Sequence, residues 1–508
     1  MDTFTLALSL FILISLLFST LKMYKKRLCL PPGPTPLPLV GNLLQGSTIL
    51  YDTYGKFTEQ YGPIFTVWNG TSPAVALCGY DVLKEALVNY AKLFSYRGSI
   101  PISERLMNGC GIVTTNGELW QQTRRFAVAS LRNSGLGTRT IDQRIQEEAS
   151  HLLQAVKDIN GQAFNPQTLL GRAVNNVINL AMFGKRWDYK DKQFLSFLKI
   201  IDNLFLFFRS PLGVMYASFP MLMRYLPGPH QKKFNDTVEV KSLIKEQIVS
   251  HMETLDMESP RDFIDCFLIQ MKKVNLLQGN VFSIENLMST MFELFLVGTE
   301  TTANTLYFSL LVMIKYPQIQ DRIQQEIDTV IGTDRLPKLA DRIEMPYTNA
   351  VMHEIMRFID LVPMGLPHQI MEDITFRGFN IPKGTTIIPM LASALSDPAH
   401  WEKPDEFYPG HFLDKNGQFC INDAFIPFSA GKRICPGEAF ARTEIFLFVT
   451  SLLQNFTLRA VNHPDTFNLK TLRRTFRKQG LLYNLKAFPR GRANERCSGE
   501  SSVTKKEV

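Results

Sequence analysis

The sequence predicts one large domain, with its chemistry carried largely on helices, behind a short N-terminal membrane anchor. Three observations support this. Residues 3–21 carry no charge and are mostly Leu, Ile and Phe, a run that at about 1.5 Å per residue nearly crosses a hydrocarbon core of about 30 Å. A second helix is bracketed over 284–315, with Ser283 to cap it and Tyr316-Pro317 to end it. A glycine-rich loop, Phe428-Ser429-Ala430-Gly431-Lys432-Arg433-Ile434-Cys435-Pro436-Gly437, stands just before an apolar helical run. Length alone, 508 residues, suggests two or three domains. The motifs overrule it, because residues from about 97 to 437 must converge on one site.

Taken from the N-terminus, the apolar run has a rival reading as a cleaved signal peptide. Against that, no basic region precedes it and no small-x-small cleavage site follows. Lys22, Lys25, Lys26 and Arg27 come instead, and the positive-inside rule keeps their side in the cytosol. Residues 1–21 therefore read as an uncleaved signal anchor. Residues 22–38 form a basic and proline-rich hinge, in which Pro31-Pro32-Gly33-Pro34-Thr35-Pro36-Leu37-Pro38 gives a stiff connector without helix. The main domain spans 39–489, and 490–508 is a polar tail expected to be disordered. Cysteines at 29, 78, 110, 266, 420, 435 and 497 form no paired-spacing framework, which implies a reducing compartment. The net charge of +8 comes without an aromatic-interleaved basic module, so nucleic acid is not the partner. It suits an anionic membrane surface and acidic electron donors.

Most lone cysteines are small buried hydrophobes that bind nothing. Cys435 differs in its setting, because N–H groups from its loop and from the first turn of the next helix can point at the sulfur and keep it deprotonated. That is how a chain offers a thiolate to haem iron, which favours O–O cleavage. Gly431 and Gly437 would allow close approach to a flat porphyrin, Phe428 would pack beside the iron–sulfur bond, and Arg433 would pair a propionate. At every fixed position the loop resembles the haem-binding signature of the cytochrome P450 superfamily, F-x-x-G-x-R-x-C-x-G. The resemblance covers residues 31 to 489 and is nearest to microsomal family-2-type members. It implies a mainly α fold with a small β region (the cytochrome P450 fold), haem b (iron protoporphyrin IX) as cofactor, and Cys435 as axial ligand.

Within the long helix, Leu294 to Ile314 contains one charge, yet Thr299, Glu300, Thr301, Thr302, Asn304 and Thr305 crowd its middle. A polar belt inside an apolar helix reads as a site within a core, although mid-helix threonines are ordinarily just back-bonding residues. Gly298-Thr299-Glu300-Thr301-Thr302 resembles the family's oxygen-activation motif. The resemblance makes Thr301 the hydrogen-bond donor and Glu300 the proton relay, with Gly298 letting dioxygen sit against the backbone. Where the family usually has Ala or Gly, this chain has Val297, which should narrow the space above the haem.

Glu354 and Arg357 fit the family's E-x-x-R pair. The spacing is weak, since Glu258 and Arg261 share it, and an i,i+3 pair is usually a surface contact. The downstream segment from Pro404 to Phe412 supplies the triad's third member, His411, where many members carry arginine. Trp120 and Arg124 lie one helical turn apart after Asn116-Gly117 and match the family's W-x-x-x-R. The resemblance makes them propionate partners, together with Arg97, His368 and Arg433.

Phe194, Phe197, Phe205, Phe207 and Phe208 crowd a helical stretch ending at Pro211, a stripe that is more often core than binding box. By the resemblance some of these rings roof the pocket. The other wall positions are Ile100, Ile102, Val113, Val297, Leu361, Val362, Met364 and Leu366, all apolar, so the substrate should be lipophilic. Arg473-Arg474-Thr475-Phe476-Arg477-Lys478 departs from the family's apolar turn; a solvated charge run is the ordinary reading, and a carboxylate partner the sharper one. No dinucleotide or flavin fingerprint is present. The implied partners are NADPH–cytochrome P450 reductase, received by Arg125, Arg132 and Lys432, with cytochrome b5 as a second electron donor, dioxygen, and membrane lipids. The expected reaction inserts one oxygen atom into a fatty acid, steroid or xenobiotic, by a protein on the cytosolic face of the endoplasmic reticulum. A thiolate-haem isomerase or dehydratase of lipid peroxides and a non-catalytic haem sensor are the rivals.

Overall fold

The long helix forms over Ile284–Lys315, with the Ser283 hydroxyl accepting from the Asn286 N–H at 3.2 Å. Nearly all of its second half is buried, as a helix with one charge in twenty-one residues must be in a soluble core. The computed structural model describes residues 3–45, 50–132, 141–275, 281–463, 466, 469 and 483–491. Around this central helix pack the helices Gln167–Phe183, Pro346–Ile359 and Glu438–Asn455, while Lys192–Arg209 and Pro229–Glu253 cross on its outer side.

The β region is small, as expected. Strands β1 (Ile64–Asn69) and β2 (Ser72–Leu77) form a hairpin, followed by β3 (His368–Gln369), β4 (Ile374–Phe376), β5 (Phe379–Ile381) and β6 (Thr386–Pro389). They make a four-stranded sheet ordered β1-β2-β6-β3, in which β2 runs parallel to β6, and a separate β4–β5 hairpin. Strands β7 (Phe456–Ala460) and β8 (Leu485–Pro489) close a third, antiparallel pair. The 59-residue helix-to-strand path from Ile331 to Pro389 thus ends beside the β1–β2 hairpin, bringing His368 to the edge where Arg97 bridges to it.

Two boundaries shift. The N-terminal helix spans Thr3–Arg27, passing the expected end of the anchor at 21 into the basic cluster, because Lys and Arg are good helix formers that suit a helix C-terminus. Among the described residues no helix is long and apolar enough to cross a membrane. The proline-rich hinge is docked rather than free: Thr66 of β1 donates its N–H to Pro32 O (2.9 Å) and its hydroxyl to Pro31 O (2.8 Å). A Cβ on Gly33 would lie 2.0 Å from Thr66 O, so only glycine permits this seat. The basic segment 473–478, most of the tail and Cys497 lie outside the described residues.

Candidate functional site

The cysteine loop is placed by backbone contacts. Gly431 has φ +70°, and a Cβ there would lie 1.8 Å from Leu87 O. The close approach that this glycine visibly permits is to the π-helical turn Glu85–Asn89. Cys435 N–H donates to Phe428 O at 2.9 Å. Burial pushes the Cys435 thiol up, and the Gly437 N–H and the Arg124 guanidinium pull against that rise. The residue nevertheless keeps solvent-accessible area. A Cβ on Gly437 would meet only this sulfur, at 4.0 Å, so protein packing does not demand glycine there.

Beside the thiol lies a cluster of cations. Arg433 is buried, with its Nε on Ser95 O (2.7 Å), its second terminal nitrogen on Thr115 O (2.9 Å) and Asn116 Oδ1 (2.6 Å), and its guanidinium 3.7 Å over the Trp120 ring. Arg97 donates to Val113 O (3.1 Å) and Leu366 O (3.2 Å), which ties two predicted pocket walls to this end. Arg124 donates to Ile434 O, next to the thiol. Burial, then mutual repulsion, pushes Arg433 down to about 9 and Arg97 to about 10. Among the described residues none of the three forms an ion pair with a carboxylate. One buried Arg433 nitrogen and the Trp120 indole N–H have no acceptor. Such a site fits a dianion held at its edge, and haem b brings two propionates and an iron that takes thiolate.

His368 lies against Arg97: its Nε2 accepts from Arg97 at 3.3 Å and its Nδ1–H donates to Phe94 O. Burial and the Arg97 charge push it down to about 3, so it is neutral. In this arrangement it orients Arg97 within the cation cluster.

On the central helix, the Thr301 hydroxyl donates back to Val297 O at 2.7 Å, so acting as a donor to substrate oxygen requires a rotation about χ1. Asn304 Nδ2 donates to Glu300. Thr299 faces away, accepting from Asn175 Nδ2 at 2.8 Å. A Cβ on Gly298 would lie 2.9 Å from Ile178 Cδ1, so this glycine lets the central helix approach Gln167–Phe183; room for dioxygen is not its visible steric role.

Of the wall positions, Val297, Val362 and Leu366 are apolar yet more than a third exposed. Ile100, Val113, Leu361, Phe205 and Phe208 are half-buried. Phe194, Phe197, Phe207 and Ile102 belong to the core, and Met364 packs toward the sheet beside Tyr54 and Phe65. These five lie in the packed core, their faces meeting protein.

Glu354 and Arg357 pair at 2.7 Å, both fully buried. Lys403 N–H donates to His411 Nε2 (3.1 Å), and His411 donates from Nδ1 to Glu354 (3.1 Å). The competing Arg261 pairs with Asp265 instead. Two residues went unforeseen: Asn116, whose amide joins the Arg97 backbone to Arg433, and Glu293, whose carboxylate holds the Ile112 (2.6 Å) and Val113 (3.0 Å) N–H groups. An asparagine beside a helix start and one acid in an apolar helix gave no sequence sign of either.

The sequence profile described as Cytochrome P450 matches residues 31–481. Cytochrome P450 2C20 of Macaca fascicularis is 48% identical over 457 residues, covering 90% of this chain and 93% of the relative. Human cytochrome P450 2C8 is 46% identical, with the same coverage, and human cytochrome P450 2A13 is 44% identical over 94% of this chain and 97% of its own length. Likeness of this extent, with the thiolate loop and its cation cluster intact, makes the chain a member of the cytochrome P450 family and a haem b monooxygenase.

Proposed function

We propose that this monooxygenase hydroxylates or epoxidises a lipophilic small molecule at the endoplasmic reticulum membrane, with electrons from NADPH delivered by cytochrome P450 reductase. The carrying observation is the exposed apolar set Val297, Val362 and Leu366, joined through Arg97 and Val113 to the cation cluster beside Cys435. Haem, when bound, supplies dioxygen activation. Cys435 is its thiolate ligand, while Arg97, Arg124, Arg433 and Trp120 hold its carboxylates. Glu300 holds a proton one residue from the Thr301 hydroxyl, and the two together pass it toward the reacting oxygen. Val297 narrows the approach, so it bears on which carbon is presented. Arg125 and Lys432 are exposed beside the thiolate loop, where an acidic reductase or cytochrome b5 surface would find them. The isomerase reading is disfavoured because the acid–threonine pair is present.

The first test is the reduced, CO-bound spectrum of membranes carrying the protein, repeated with Cys435→Ala. A thiolate-type Soret band present in the parent and lost in the variant supports the reading; a band that survives in the variant overturns it. Product formation from lipophilic substrates that needs both NADPH and reductase then separates monooxygenase from isomerase.

A further inference from the structure

The helix that follows the thiolate loop opens with an acid. Glu438 is its first residue, directly after Gly437, where a Cβ would lie 4.0 Å from Cys435 Sγ. A carboxylate in that turn brings negative charge toward the sulfur. Arg442 answers it from one turn on, pairing with Glu438 at 2.6 Å, with the two side chains 17% and 27% exposed. The same guanidinium lies 5.4 Å from the centre of the Phe428 ring and 5.3 Å from that of Phe425, and Phe428 O accepts the Cys435 N–H at 2.9 Å. The ion pair therefore lies against the residue that holds the Cys435 backbone. A third element fixes Arg442. His353, on the helix Pro346–Ile359, is buried among the rings of Phe412, Phe419 and Phe425 and donates Nδ1–H to Asn349 O at 2.7 Å. A carbonyl only accepts, so the proton sits on Nδ1 and Nε2 takes the Arg442 N–H at 2.9 Å. Burial, then the Arg442 charge, push His353 down to about 3, so it adds no charge of its own.

We infer that Arg442 is the counter-charge of the thiolate loop, cancelling Glu438 and so setting the reduction potential of the bound iron, and that His353 is the positioning residue that holds it there. The inference rests on the reading of Cys435 as the thiolate ligand. In the step concerned, one electron from the reductase takes iron(III) to iron(II), the ion pair itself exchanging neither a bond nor a proton. An uncancelled carboxylate beside the loop disfavours the gain of that electron, and an uncancelled guanidinium favours it. The closed pair leaves neither. With His353 as a neutral acceptor on its far side, Arg442 cannot swing away from Glu438 without stranding a buried ring nitrogen.

Spectroelectrochemical titration of the haem-loaded protein, with neither reductase nor substrate present, reads the potential directly. Arg442→Gln should move it to a more negative value and Glu438→Gln to a more positive one, each a severalfold change in the reduction equilibrium, and the double variant should return close to the parent. A side chain needed only for packing would not give opposite signs that cancel. His353→Ala should shift the potential in the same direction as Arg442→Gln but less, and His353→Gln, which keeps a neutral acceptor, should restore it. Unchanged potentials in Arg442→Gln and Glu438→Gln, or shifts of one sign in both, overturn the inference, while a thiolate-type Soret band in the parent leaves the Cys435 reading standing. A parent without that band takes both down. An unmoved potential in His353→Ala removes the positioning role alone. Should Arg442→Gln fail to take up haem, Glu438→Gln decides: a positive shift supports the counter-charge, and any other result overturns it.

Discussion

Arg357 donates five hydrogen bonds from a fully buried position: two to Glu354 and one each to the carbonyls of Leu395, Pro404 and Glu406. Removing one partner strands the other charge without solvent, which typically costs about 3–5 kcal/mol. Arg357→Ala should accordingly yield little folded protein and a sharply lower melting temperature, and Arg357→Lys should rescue little, since three carbonyls and a carboxylate need a planar fork. Glu293 carries a second residue-scale prediction. Burial pushes its carboxyl up to about 7, the Ile112 and Val113 N–H groups pulling back only in part. The folded state then binds more protons than the unfolded one between the ordinary Glu value and about 7, so stability falls as pH rises through that window. Glu293→Gln keeps an acceptor for the loop but removes its titration; the difference between urea midpoints either side of the window should be smaller in the variant than in the parent. At this scale the sequence was legible where chemistry has a fixed spacing, as at Cys435 and Arg433. It was silent at Asn116 and Glu293, whose partners lie on other elements.

Elements behaved as their local signs required. The central helix began and ended where Ser283 and Tyr316-Pro317 put it, because capping and proline geometry act within a few residues. Ser283→Ala should cost about 1 kcal/mol, read as a lower melting temperature with an unchanged CO spectrum. The thiolate loop depends on a distant element. Gly431 rests against the carbonyl of Leu87 in a left-handed conformation, so Gly431→Ala meets both a clash and backbone strain. The expected outcome is haem occupancy, measured by the CO difference spectrum, that falls severalfold in Gly431→Ala. The aromatic stripe 194–208 divides by face: Phe197 stacks edge-on against Phe295 at 5.3 Å, while Phe205 and Phe208 stay half-buried. Composition could not make that division, because all five rings are equally apolar.

For the molecule as a whole, one strand joins two surfaces that the membrane reading needs. The hinge bonds to Thr66 near the start of β1, and Asn69 at its end accepts from the Ser218 hydroxyl at 2.6 Å. Met215, Met221, Leu222 and Tyr225, all exposed and apolar, follow around Ser218. A chain lacking residues 1–21 should therefore keep its Soret band and still partly sediment with vesicles, and adding Met221→Asp and Leu222→Asp should release it. Unchanged sedimentation with the double substitution would sink this seating. Sequence by itself determined the central helix with its cap and its stop, the buried triad and the family, since each rests on residue types at short, fixed spacings. Tertiary structure alone decided that His368 meets Arg97 and that Gly431 rests against Leu87. Those pairings join residues 271 and 344 positions apart, and nothing in local propensity encodes which faces of two distant elements will meet.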